Sequence, residues 1–395
     1  MGFDDELDVT AGWLRAKPGI KWRVSGPGEL AAWVADMDFP APPAVRCALT
    51  ELAAGGDLGY PPWLHAEGTP VREAFAARMS ARYGWKPDPA HAREFTDIIQ
   101  GLQAVLFAGT EPGDAVAMHV PAYPPFLATL TAMGRRLVPV PVDAGRAAGQ
   151  DGFWFDTERL ARDVAAAGAR ALILVNPQNP SGRSFSRGEL DAIAAVADRH
   201  DLLVIADEVH ADLTYPPGTH TPFGSLPGAA ERTVTLTSAT KAFNLAGIRC
   251  AIAHIGSAAV RSAFADLPPL MFGAVSAPGV AATLAAWEHC DGWLDAVLRR
   301  LEANRAIIAR ELGPAGIGYR PPDATYLAWL DCRALELPAD PAAFFLGAAK
   351  VRLSPGPDFG PGGDGFARLN FATSETVLTE ICGRMAAAVR EAGAG

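Results

Sequence analysis

Ala171-Leu172-Ile173-Leu174-Val175-Asn176-Pro177-Gln178-Asn179-Pro180-Ser181-Gly182-Arg183 changes character within one residue. Its first five residues are an unbroken apolar run, as a strand buried on both faces of a parallel sheet requires. From Asn176 onward polar residues and proline take over. Each proline fixes its own φ and restricts the residue before it, so the loop can hold an Asn amide rigidly above the strand end. A plain strand-to-helix turn draws on the same residue types. The repetition of the pattern decides the fold.

Working outward, comparable runs lie at 115–119, 136–140, 202–206, 233–237 and 250–255. Amphipathic stretches separate them. In 187–200, Leu190, Ile193, Ala194 and Ala197 form a stripe at helical spacing, with Ser186 placed to cap it. Strand and helix in alternation predict an α/β fold with a mostly parallel sheet. After about Gly279 the pattern shifts to a long or kinked helical region at 280–311. A chain segment at 326–331, a helical stretch at 341–350, a Gly/Pro-rich loop at 354–365, a short strand at 366–371 and a final helix follow. Residues 50–83 read as two helical pieces broken at 59–62, and 143–152 as a flexible surface loop. The expected division is an N-terminal segment, 1–45, packing with a small domain at 281–395, and a large domain at 46–280.

Composition narrows the function. Of 395 residues, 49% are hydrophobic and 20% charged, which permits a large core, and the net charge of −10 disfavours nonspecific binding to nucleic acid or anionic lipid. The five cysteines are scattered, without zinc spacing and with an odd count that argues against a disulfide framework. The N-terminus lacks the apolar stretch of a signal peptide, and no apolar run reaches membrane-spanning length. A cytoplasmic location, with no membrane or nucleic-acid partner, is the expectation.

Three polar clusters close successive strands, and ligands bind outside the carboxyl ends of strands in open parallel sheets. The first is 176–183. The second is Asp207-Glu208-Val209-His210, where a carboxylate straight after a buried strand must be partnered or open to a mouth. It can face a ring nitrogen, or form a metal set of Asp207, Glu208 and His210; no metal motif accompanies it, so none is expected. The third runs from Ser238 to Arg249 around Lys241. Burial between apolar neighbours would lower the pKa of Lys241 and favour Schiff-base chemistry. Ser238 and Lys241 also match a Ser–Lys acyl-enzyme pattern, but its companion motifs do not occur. Together an Asn, an Asp and a Lys converge at one sheet edge, with Ser238 and Arg249 able to bind phosphate. That is site chemistry for pyridoxal 5′-phosphate.

Here the chain resembles the fold-type I aminotransferase superfamily from about Trp33 to about Met385. It is more narrowly similar to the cystathionine β-lyase and C–S lyase branch, through Trp33-Val34-Ala35-Asp36-Met37-Asp38-Phe39, 176–183, 207–212 and 238–247. The resemblance implies a large domain with a seven-stranded sheet plus a smaller α/β domain. It implies that Lys241 forms the Schiff base and moves protons, that Asp207 pairs with the pyridine nitrogen, and that Asn179 bonds the phenolic oxygen with His210 near that edge. Tyr123 would stack on the ring. Ser238, Arg249, Ile99 and Gln100 would bind phosphate. Tyr60 would reach the neighbouring subunit's site in a homodimer, and Arg368 would clamp the substrate carboxylate, with Asn179, Tyr60 and Asp36 close to substrate. Three features depart from the branch. Thr96-Asp97-Ile98-Ile99-Gln100-Gly101 stands where a Gly-Val-Val-Pro type sequence is frequent, Pro61-Pro62-Trp63 follows Tyr60, and Arg249 follows the general aminotransferase pattern.

The activity implied is β-elimination on an S-substituted cysteine, giving thiol, pyruvate and ammonia. Transamination of a small amino acid begins with the same steps and is the rival. Decarboxylation or oxidative deamination on a cysteine conjugate is a third possibility. A ligand-sensing module of a transcription regulator would need a basic DNA-binding domain, for which the segment ahead of Trp33 is too short.

Overall fold

The computed structural model describes residues 3–64, 68–144, 153–268 and 270–393. The loop expected at 143–152 lies, from 145 onward, outside the described residues. The central sheet has seven strands: β1 (Ala92–Phe95), β2 (Ala115–Val120), β3 (Arg136–Pro141), β4 (Ala171–Val175), β5 (Leu203–Asp207), β6 (Thr233–Thr237) and β7 (Ala251–Ile255). Their spatial order is β1-β7-β6-β5-β4-β2-β3. The pairings from β3 across to β6 are parallel, and β7 runs antiparallel to both neighbours. Six strands follow the apolar runs of the sequence, because β2, β4, β6 and β7 are buried at every residue. The seventh, Ala-Arg-Glu-Phe, carries two charged residues in four and has no apolar run to announce it.

The strand order reverses between β4 and β2, which is where a doubly wound sheet opens a crevice. Register places Val175, Asp207 and Leu236 side by side, so the carboxyl ends of β4, β5 and β6 finish level. The helix Arg187–Arg199 begins with a full capping box between Ser186 and Glu189, and it buries Leu190, Ile193, Val196 and Ala197. Leu190, Ile193 and Val196 each contribute roughly 1.5–3 kcal/mol on burial.

A second sheet forms from β8 (Gly318–Tyr319), β9 (Leu327–Asp331), β10 (Ser354–Pro355) and β11 (Phe366–Asn370), antiparallel in the order β8-β9-β11-β10. The helical region expected at 280–311 is two helices, Ala277–His289 and Asp291–Leu312, which meet at Cys290. The stretch near 341–350 starts as α-helix and continues as a π-turn, Phe345–Ala349. At the N-terminal side, Leu30–Ala31 pairs in parallel with Val351–Arg352. Gly182 locks the Asn loop to the segment ahead of β9. Its φ is +68°, and a Cβ there would fall 2.2 Å from the Pro322 Cβ.

Candidate active site

A cavity of about 110 Å³ opens at the level carboxyl ends of β4, β5 and β6. Asn179, Asp207, His210, Tyr123 and Lys241 line it, together with Ala35 from the N-terminal segment. The loops either side of the crevice are tied: the Gln178 amide donates to the Pro121 carbonyl at 2.7 Å, and Ala122 N–H donates to the Phe359 carbonyl at 2.8 Å.

Lys241 is half-buried, and its Nζ donates to the Ala35 carbonyl at 2.9 Å. Burial lowers its pKa to about 8, with the Arg368 charge in the same direction; Asp36 and Asp207 oppose. Asp207 moves the other way, to about 7, chiefly by burial and in part by repulsion from Glu208, against a bond from Val209 N–H at 3.1 Å and the charge of Lys241. An amine made less basic and a carboxylate made more basic therefore share one cavity. His210 is buried and held neutral, its pKa lowered to about 3 by burial and by the Lys241 and Arg368 charges. Its Nδ1 has no hydrogen-bond partner. Glu208 faces elsewhere: it accepts from Phe223 N–H at 2.7 Å and pairs with His220 at 3.1 Å. Asp207, Glu208 and His210 do not converge as a ligand set.

Arg368 projects from β11 with 4% exposure, which an unbonded guanidinium could not sustain. It donates to Asn179 Oδ1 at 3.0 Å, to the Trp33 carbonyl at 3.0 Å and to Ser354 Oγ at 3.2 Å. Its cation lies 4.9 Å from the Phe359 ring centroid. Burial brings its pKa down to about 10, against Tyr123 and Tyr326, so it remains a cation at neutral pH. Burial also raises the Tyr123 phenol above its ordinary value.

Thr96, Asp97, Ile98, Ile99, Thr240 and Arg249 also line the cavity. Ile98 and Ile99 open the helix Ile98–Gly109, whose first N–H groups lack intrahelical acceptors. Gln100, expected beside Ile99 at the phosphate, is engaged locally. Its N–H donates to Asp97 Oδ1 at 2.9 Å and its side-chain oxygen accepts from Thr96 N–H at 2.8 Å, so Ile98 rather than Gln100 lines the cavity with Ile99. Ser238 also stands outside the lining; its hydroxyl donates to the Cys250 carbonyl at 2.6 Å and accepts from Thr240 N–H at 3.1 Å. Thr240, next to Lys241 in the chain, lines the cavity and was not singled out from the sequence. Tyr60 is 91% exposed and does not line this cavity. Asp36 is half-buried, outside the lining, and acts on Lys241 through its charge.

Residues Trp33 to Phe39 form a strap held carbonyl by carbonyl. Arg368 and Ser354 hold Trp33, Asn370 holds Val34, and Lys241 and Tyr326 hold Ala35. Lys21 and Asn370 hold Asp36, Asn244 holds both Met37 and Phe39, and Lys17 holds Asp38. Sequence reasoning passed over Asn244, Tyr326, Ser354 and Asn370. Asn244 lies inside the 238–247 motif and Asn370 inside the strand expected at 366–371, and an Asn amid apolar neighbours is a signal of a buried backbone partner.

The model of the family "Aminotransferase class I and II" matches residues 34–385. Cystathionine beta-lyase PatB of Bacillus subtilis is 34% identical over 94% of this chain and 96% of its own. Cystathionine beta-lyase of Corynebacterium glutamicum is 31% identical over 94% and 97%. The solved PLP-bound C–S lyase of Staphylococcus hominis superposes with a TM-score of 0.89 at 27% identity, covering 99% of each chain. The strap, the three strand-end clusters and these likenesses agree: the chain belongs to the class I and II aminotransferase family of pyridoxal-phosphate-dependent enzymes, in its cystathionine β-lyase and C–S lyase branch.

Proposed function

We propose that this chain is a pyridoxal-phosphate-dependent C–S β-lyase that converts an S-substituted L-cysteine and water into a thiol, pyruvate and ammonia. The observation that carries the reading is the placing of the Lys241 amine and the buried Asp207 carboxylate in one cavity that a helix N-terminus, Thr240 and Arg249 also line. The residues fit the cofactor. A buried imidazole has an orphaned nitrogen, a buried carboxylate awaits a cationic partner, and a helix N-terminus with Thr240 and Arg249 suits a phosphate. When bound, pyridoxal phosphate supplies an aldehyde that condenses with amines and a ring that accepts the electron pair left by a departing α-proton.

The chain's own residues do the rest. With the cofactor bound, Asp207 would hold a proton on the ring nitrogen, the Asn179 amide would donate to the phenolic oxygen, and Tyr123 would stack on the ring. The Arg368 guanidinium, fixed in orientation by Trp33, Ser354 and Asn179, takes the substrate carboxylate. Lys241, with its pKa lowered to about 8, has roughly a tenth of its amine neutral at pH 7, far more than an ordinary lysine, and removes the α-proton. Loss of the β-thiolate completes the elimination. We also propose a homodimer in which Tyr60 serves the neighbouring site, supported by the exposure of Leu58, Tyr60, Phe107, Leu270 and Met271.

Transamination shares these residues and differs in where Lys241 returns the proton. The test is L-cystathionine or an S-alkyl cysteine added to the purified enzyme without any 2-oxo acid. Thiol, pyruvate and ammonia released in equal amounts over many turnovers support the lyase. A single turnover ending in pyridoxamine phosphate contradicts it.

A further inference from the structure

The lining residues that include Arg249 and the helix N-terminus also contain a carboxylate that the proposed chemistry does not use. Asp97 caps the helix Ile98–Gly109, accepting from Gln100 N–H at 2.9 Å through Oδ1. Its other oxygen accepts from Thr96 Oγ1 at 3.1 Å and pairs with the Arg249 guanidinium. Arg249 is 59% exposed at its side chain, on backbone with φ +60°, and among the described residues Asp97 is its only ion-pair partner. Asp97 therefore occupies both attractions that a phosphate would use: the guanidinium and the positive end of the helix.

We propose that Asp97 is a built-in competitor for the cofactor's phosphate, holding Arg249 when the site is empty and repelling the phosphate when it is filled. The inference rests on the cofactor reading above. Its consequence is a cofactor held loosely at its phosphate end and open to exchange, with Lys241 supplying the durable attachment. Two roles of the carboxylate can be separated, because Asn caps a helix as well as Asp does but carries no charge.

The experiment uses full-length holoenzyme and its Asp97→Asn and Asp97→Ser variants, both of which retain a capping residue. Cofactor release is followed by absorbance after dilution, and inorganic phosphate is titrated as a competitor of cofactor uptake. Removing a like charge at this range is expected to slow release about tenfold and to lower the inhibitory concentration of inorganic phosphate by a similar factor. Arg249→Gln should shift both the other way. Release as fast as wild type, or faster, from a folded variant would overturn the proposal and make Asp97 a group that orients Arg249 toward phosphate. If the wild type captures no cofactor at Lys241, the cofactor reading falls and this inference with it. Capture at Lys241 with no response to Asp97 substitution sinks the competitor alone.

Discussion

At the scale of residues, the chain has five lysines, Lys17, Lys21, Lys86, Lys241 and Lys350, and among the described residues only Lys241 lines the cavity. Its lowered pKa gives a signed expectation. The neutral amine is the nucleophile, so the rate of cofactor capture by the empty chain should rise with pH and level off above about 8, as stopped-flow absorbance would record. A rate flat from about pH 6 to 9 would contradict the burial argument. Arg368→Lys preserves charge but cannot span Asn179, Trp33 and Ser354 together. KM should rise about tenfold or more, with a smaller change in kcat, in steady-state kinetics. Lys241, Asp207 and Asn179 were legible because each stands at the end of an apolar run. That Gln100 and Ser238 stand outside the cavity lining was not legible, because whether a polar group faces a cavity depends on partners such as Thr96 and Cys250 that spacing alone does not reveal.

The strap shows how elements behave. Its hold comes from five chain regions far apart in sequence, and nothing local to 33–39 encodes it. Asn370→Ala removes the donors to Val34 and Asp36 and the acceptor for Ala372 N–H. The expected outcome is a loss of at least about 2 kcal/mol, with faster hydrogen exchange in the strap than in β4. Lys21→Met is harsher. Asp38 is 1% exposed and bonds both Lys21 and the Trp22 indole through one oxygen, while its other oxygen has no partner. Removing the cation should cost about 3–5 kcal/mol in denaturant unfolding. Elements were legible where burial was uniform, as in β4 and β6, and where caps were local, as at Ser186. Strand β1 was not, because pairing with β7 selects it rather than its own composition.

For the whole molecule, stability should depend on acid in a definite way. His119 is buried in β2 with both nitrogens unpartnered, edge-on to Phe155 at 4.7 Å and near Phe185 at 5.1 Å. Burial, aided by Arg183, lowers its pKa from 6.5 to about 3. The unfolded chain therefore binds the proton first, so stability is intact above about 6.5 and falls as pH drops toward 3. The loss from this residue at about pH 5 is roughly 2 kcal/mol. His119→Leu should therefore narrow the difference in Tm between about pH 8 and pH 5. Sedimentation should show twice the 41.4 kDa chain mass if the exposed Leu58, Tyr60, Phe107, Leu270 and Met271 meet a second copy. The α/β class and the mostly parallel sheet follow from the alternation of runs, which the sequence displays, whereas the strand order and the antiparallel β7 do not. The meeting of Arg368 with Asn179 across 189 positions does not, because it is a property of the packed chain.

The most direct measurement is borohydride reduction of the purified enzyme followed by peptide mass mapping. The expected result is the reduced pyridoxyl mass on the peptide containing Lys241, absent in Lys241→Ala. The same mass on Lys17, Lys21, Lys86 or Lys350, or on no lysine, would contradict the account.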